Sequence, residues 1–169
     1  NASRIISLNS AQTDGSQAWA PLATVAPIQG WLTWIPLSGG GEAVIGGDQG
    51  GKVYRVNVTT GAATWQAILV GGDVIQAPPA AQLRAYANPA FQAAYTEDVL
   101  FAATWNVTST NNKLFALRAS DGALLWTFNG TGAYQVDYMV GMPYVDYAQN
   151  RIYLASRAGS GGGQKSLWV

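Results

Sequence analysis

The feature that most constrains this chain is a phrase it repeats three times: a β-branched or aromatic run, a glycine turn and then a tryptophan. It reads RIISLNSAQTDGSQAW over Arg4–Trp19, KVYRVNVTTGAATW over Lys52–Trp65 and KLFALRASDGALLW over Lys113–Trp126, and QKSLWV at Gln164–Val169 repeats its opening once more. Self-similarity of this kind means that each unit buries its face against a neighbouring unit, so the repeat sets the fold. The intervals are 46 residues from Trp19 to Trp65, 61 from Trp65 to Trp126 and 52 from Phe115 to Leu167. Strand-built repeats of roughly 40–50 residues are the signature of an all-β propeller, built of four-stranded antiparallel sheets, or blades, set around a channel.

Turn residues divide each unit into four short runs of strand character. Unit 26–70 is expected to carry strands at Trp31–Ile35, Ala43–Gly46, Lys52–Val58 and Ala63–Ile68. Unit 71–130 is expected to carry Val74–Pro78, Val99–Thr104, Lys113–Arg118 and Leu124–Phe128, with an insertion at 79–97 that accounts for the long interval. Residues 1–25 supply the last two strands of a unit, Arg4–Leu8 and Gln17–Leu22, while 131–169 supply the first three, Met139–Val145, Arg151–Ser156 and Ser166–Val169. The expectation is one partial propeller domain over 1–169, with about three blades present. Propellers close with roughly four to eight blades, and an open arc leaves unpaired edges and half-covered apolar faces. A segment of a larger propeller is therefore expected.

The third strand of each unit alternates with period two, as in Val53, Arg55 and Asn57 against Tyr54, Val56 and Val58, which is the pattern of a strand packed on one face. Gly15, Gly61 and Gly122 stand where the following hairpin needs positive φ. Trp19, Trp65 and Trp126 then fall at one point of the outermost strand, where an indole covers the joint between blades and donates its N–H to a backbone acceptor. These six residues are expected to be structural blade-docking positions.

The phrase resembles the tryptophan-docking motif of quinoprotein-type, PQQ-like β-propeller repeats, A-x-D-x-x-T-G-x-x-x-W, a family that includes quinone-dependent alcohol dehydrogenases and a bacterial outer-membrane assembly lipoprotein. Lys52–Trp65 matches at Thr60, Gly61 and Trp65, with Arg55 in the alanine place and Asn57 in the aspartate place; Lys113–Trp126 matches at Ala116, Gly122 and Trp126, with Arg118 for the aspartate and Asp121 for the threonine. The first copy keeps Gly15 and Trp19 with two extra residues before the glycine. The resemblance implies the propeller fold, while the motif itself serves blade packing. Dehydrogenases of the family bind PQQ with a stacking tryptophan, a pair of adjacent cysteines and Glu, Asn and Asp ligands for calcium. On that pattern Asp137 or Asp146 would be the base and Trp31 or Trp34 the stacking surface. No carboxylate pair recurs at a spacing that would converge on one site, so these read instead as loop acids and core indoles. No catalytic, cofactor-binding or metal-binding residue is assigned. PQQ and calcium enter only if the chain is a segment of a dehydrogenase whose ligands lie outside it.

Cysteine and histidine are both absent, which removes disulfides, thiol nucleophiles, histidine and cysteine zinc sites and imidazole bases together. Formal charge is zero and the nine Lys and Arg are scattered, so no basic stripe exists to neutralise the phosphates of a nucleic acid. No apolar run approaches the roughly 18–20 residues of a membrane-spanning helix. Low charge with abundant Gly, Thr, Asn and Trp points to an extracellular or cell-envelope location. Asn1, Asn57, Asn106 and Asn129 head Asn-x-Ser/Thr triplets, which are glycan acceptors in a secreting eukaryote and ordinary turn chemistry otherwise.

The remaining signals are loops. Gly39–Lys52 is glycine-rich without phosphate-loop spacing, and Asp48 within it reads as a turn residue, since it lacks the alternating oxygen ligands of a calcium loop. Gly159–Gly163 reads as a flexible connection. The insertion carries Tyr86, Phe91 and Tyr95, which form either a contact surface or a lid folded over the blade edge. Tyr134, in the loop from Asn129 to Tyr138, is a further contact candidate. Trp105 is another, and it and Tyr134 also offer aromatic faces to a sugar. The leading expectation is a non-catalytic propeller module that contacts a protein partner or the remaining blades of a propeller.

Overall fold

The computed structural model describes residues 4–8, 14, 16–69, 74–106, 112–131, 134–157, 163 and 166–169. Asn1, Gly15 and most of Gly159–Gly163 lie outside the described residues. The strands run β1 (Arg4–Ile5), β2 (Leu22–Ala23), β3 (Thr33–Pro36), β4 (Glu42–Gly47), β5 (Lys52–Asn57), β6 (Ala63–Ile68), β7 (Ala80–Gln82), β8 (Val99–Ala103), β9 (Leu114–Arg118), β10 (Leu124–Phe128), β11 (Gly130–Thr131), β12 (Tyr134–Gln135), β13 (Tyr144–Asp146), β14 (Arg151–Ala155) and β15 (Leu167–Trp168). They form two four-stranded meanders, β3–β6 and β7–β10, a three-stranded sheet β13–β15 and the pairs β1–β2 and β11–β12, and every pairing joins sequential strands antiparallel.

Alternation along each strand sends successive side chains to opposite faces, and both faces of the sheet β7–β10 are covered. Ile35, Ala43, Ile45 and Val53 of β3–β5 pack against Leu100, Ala102, Phe115 and Leu117 of β8 and β9. The opposite face of that second sheet, with Val99, Phe101, Leu114 and Ala116, packs against Leu154 and Trp168 of the third. Ile5 of β1 packs against Tyr54 and Val56 of β5. Sheets thus stack face to face in sequence order, as blades do, and the chain is a β-propeller arc.

Two inner strands differ from expectation. The predicted strand Val74–Pro78 is reduced to a single bridge between Val74 and Trp105, and the ladder resumes only at β7. Pro78 and Pro79 have no N–H to donate, so they interrupt it. The expected insertion at 79–97 therefore begins with a sheet strand. Only the remainder is extra: a 3₁₀ turn at Arg84–Tyr86 and one short helix, α1 (Pro89–Ala94), whose first turn is capped by the Asn88 side chain accepting from Phe91 N at 3.1 Å. Likewise β13 begins at Tyr144 instead of Met139, because the Met139 N–H is spent on Thr104 O of the preceding sheet, at 3.2 Å.

Candidate functional site

The joints between sheets are the most regular feature. Trp19 Nε1 donates to Val58 O at 3.1 Å, and Trp65 Nε1 donates to Ala119 O at 2.8 Å, each reaching the hairpin of the following sheet. The glycine of that hairpin lies beneath the ring. A Cβ on Gly61 would come within 2.3 Å of the Trp19 indole and one on Gly122 within 2.6 Å of the Trp65 indole, and both glycines have positive φ, 71° and 75°. Glycine is thus needed twice over, for the turn and for the ring above it. Arg55, standing in the motif's alanine place, adds to this joint by donating Nη1 to Ala119 O at 3.1 Å and Ser120 O at 3.4 Å. Trp126 behaves differently: its N–H goes to the Tyr95 hydroxyl at 2.9 Å, and its ring lies against Phe101.

A second recurring position had no signal in the repeated phrase. At the end of the second strand of each sheet stand Asp48, Thr104 and Ser156, all buried. Each donates its backbone N–H to the residue opposite, Lys52 O at 2.9 Å, Lys113 O at 3.0 Å and Ser166 O at 3.0 Å. Each side-chain oxygen accepts the N–H of that same residue, at 3.0, 2.8 and 3.3 Å. Carboxylate and hydroxyl do one job, which is why no single letter recurs. Asp48 does most: its Oδ1 also accepts from Gly50 N, and its Oδ2 accepts from Ala26 N and from the Tyr54 hydroxyl at 2.7 Å. Burial, reinforced by the hydrogen bond to Asp48 and its charge, pushes Tyr54 up to about 12. With both oxygens saturated by protein donors, Asp48 is a turn cap.

The aromatic candidates divide. Phe91 is buried and packs its ring on half-buried Tyr95, 4.7 Å between centroids, while the Tyr95 hydroxyl accepts from Trp126, so these two fold back over the blade edge. Trp105 is half-buried with its ring edge-on to Tyr138. Tyr86 and Tyr134 are 69% and 61% exposed and stay available. Of the quinone-site candidates, Asp146 Oδ1 caps the amides of Ala148 and Gln149, and Asp137, fully buried, accepts from Tyr138 N at 2.7 Å. Trp31 and Trp34, expected in the core, are instead 81% and 54% exposed. They line a cleft of about 660 Å³ with Leu32, Pro78, Val140 and Met142, and among the described residues no acidic or basic side chain lines it. Among the described residues no three acidic side chains converge to hold a metal.

No family model and no curated protein matches the chain. Among solved structures it is similar to BamB from Moraxella catarrhalis, at 18% identity and a TM-score of 0.50, over 99% of this chain and 47% of that one. At such identity the likeness shows the propeller fold, and the chain spans about half the length of that protein.

Proposed function

We propose that the chain is a non-catalytic β-propeller module of an extracellular or cell-envelope protein, serving as an interaction scaffold within a larger propeller or surface assembly, with 1–25, 26–70, 71–130 and 131–169 as its successive units. One observation carries this reading: Trp31, Trp34 and Met142 are exposed around one cleft, and exposed Tyr144 lies beside Trp34 and Met142. Patches of aromatic residues and methionine without charge have the composition of interface cores. Asp48, Asp98 and Asp146, by contrast, are tied into turns and sheet ends, where their carboxylates accept from backbone amides. Composition supports the extracellular or envelope location.

Titration of the full-length protein that contains this chain with PQQ and calcium, followed by tryptophan fluorescence and by a dye-linked alcohol oxidation assay, tests the reading. A scaffold gives no saturable quench and no turnover. Saturable quenching with turnover would replace it by a dehydrogenase segment.

A further inference from the structure

A second cleft, of about 350 Å³, lies between the two four-stranded sheets, beside the Gly122 hairpin. One wall is the β3–β4 hairpin, with Ser38 and Gly39, together with Arg55 of β5; the other holds Arg84, Glu97, Asp98 and Ser120. All of its lining falls between Leu37 and Ser120, so both walls belong to complete sheets. The walls are bolted to each other. Asp98, buried, accepts from Ser38 N across the joint at 2.8 Å and from Arg84 N at 2.7 Å, and Ser38 Oγ accepts from Ala85 N at 2.8 Å.

Three of the four charged side chains in the cleft are already engaged. Arg84 donates Nε to Tyr95 O at 2.9 Å and Nη2 to Gln92 O at 3.3 Å. Glu97 accepts from Ser120 N at 3.0 Å and pairs with Arg118 Nε at 3.8 Å, and Asp98 has an amide on each oxygen. Arg55 is left over. Its Nη1 reaches the carbonyls of Ala119 and Ser120, its Nε is buried without an acceptor, and its Nη2 has no partner among the described residues. No carboxylate pairs with it there either. A guanidinium cannot shed its charge by losing a proton, so Arg55 stays cationic against carbonyl dipoles alone. Indole docking does not call for that charge. The repeated phrase puts Ser7 in the corresponding place of the first copy, and Trp19 docks on Val58 O all the same.

We propose that this cleft binds a carboxylate, with Arg55 Nη2 as the charged donor and the Ser38 hydroxyl, whose proton is free to give, beside it. Charge selects the class of ligand. With Glu97 and Asp98 in the wall, one unpaired guanidinium balances one negative charge, which suits a carboxylate and disfavours a phosphate dianion. The carboxylate belongs either to a small organic acid or to the C-terminus of a peptide, since the recognised group is the same. The inference goes beyond the scaffold reading and does not depend on it, because this cleft and the one at Trp31 and Trp34 share no residue.

The test is calorimetric titration of the full-length protein that contains this chain with acetate, succinate, inorganic phosphate and a short uncharged peptide in free-acid and C-amidated forms. Saturable binding of a carboxylate, tighter than that of phosphate, is expected. A free-acid peptide at least about tenfold tighter than both acetate and its own amide identifies a peptide terminus, whereas acetate or succinate binding with no gain from the peptide identifies a small acid. Arg55→Gln is expected to weaken binding by at least about tenfold. Because Arg55 also holds the joint, Gly39→Glu is the second variant. A Cβ at Gly39 meets nothing within 4 Å and its φ is not positive, so this change tethers a competing carboxylate in the cleft and leaves the joint alone. The same loss of binding at an unchanged melting temperature is expected. Absence of saturable carboxylate binding, phosphate bound more tightly than any carboxylate, or carboxylate binding indifferent to either variant overturns the proposal.

Discussion

The joint between the two complete sheets and the joint between β1–β2 and β3–β6 are built to one plan and end in different states. Both have a docked tryptophan over a hairpin glycine, Trp65 on Gly122 and Trp19 on Gly61. In the first, Leu100 and Phe115 vanish beneath β3–β5. In the second, the outer half is closed by Ile5 against Tyr54 and Val56, while Trp34 on the inner half stays in solvent. The outer joint needs only the last two strands of a blade, and the inner joint needs the first two. Docking of the indole is thus independent of whether the inner sheet is covered.

The largest contrast should come from truncating the covered side. Phe115→Ala is expected to cost about 3–5 kcal/mol in urea unfolding, as large core deletions do, and a loss near that of an exposed residue would break the comparison. Asp48→Ala comes next. It strips the acceptor from three amides and the Tyr54 hydroxyl, an expected cost of about 3 kcal/mol, against about 1 kcal/mol for Thr104→Ala, whose side chain accepts one amide.

Alkali probes the same cluster. Because Tyr54 is raised from 10.0 to about 12 in the fold, its contribution is fully present below pH 10 and is lost as pH rises through 12. The melting temperature should fall across that window, and Tyr54→Phe should flatten the fall while lowering stability at neutral pH. Gly61→Ala and Gly122→Ala should each cost about 1–3 kcal/mol through positive φ and the ring above, and equal losses would show the two outer joints to be equivalent. Smallest of all, Trp34→Ser should change the stability of the isolated chain by less than about 0.5 kcal/mol.

Much of the fold was legible because the repeated phrase encodes a local object. Strand, hairpin glycine and tryptophan lie within about fifteen residues, and period-two alternation with turn chemistry places them without knowledge of the rest. β5, β6, β9 and β10 accordingly fall within a residue or so of expectation. The inner strands were harder. Val74–Pro78 has strand composition, and only the pairing with β8 shows that Pro78 and Pro79 defer the ladder to β7. The cap at Asp48, Thr104 and Ser156 was invisible because the chemistry, a side-chain acceptor for one amide, is met by three different residues.

Phe91, Tyr95, Trp31 and Trp34 mark where local reading ends. All four are aromatic residues in or beside loops, and composition alone assigns them no side. α1 turns Phe91 inward and sets the Tyr95 hydroxyl on the Trp126 N–H, while the two-stranded start of the arc leaves Trp34 bare. Periodicity and turn chemistry were enough to specify the outer strands of the two four-stranded sheets and the hairpins between them, since these depend on neighbours close in sequence. Which apolar residues are core and which are surface depends on the sheet that arrives from elsewhere. Burial belongs to the pair of faces, and only the folded arc brings the pairs together.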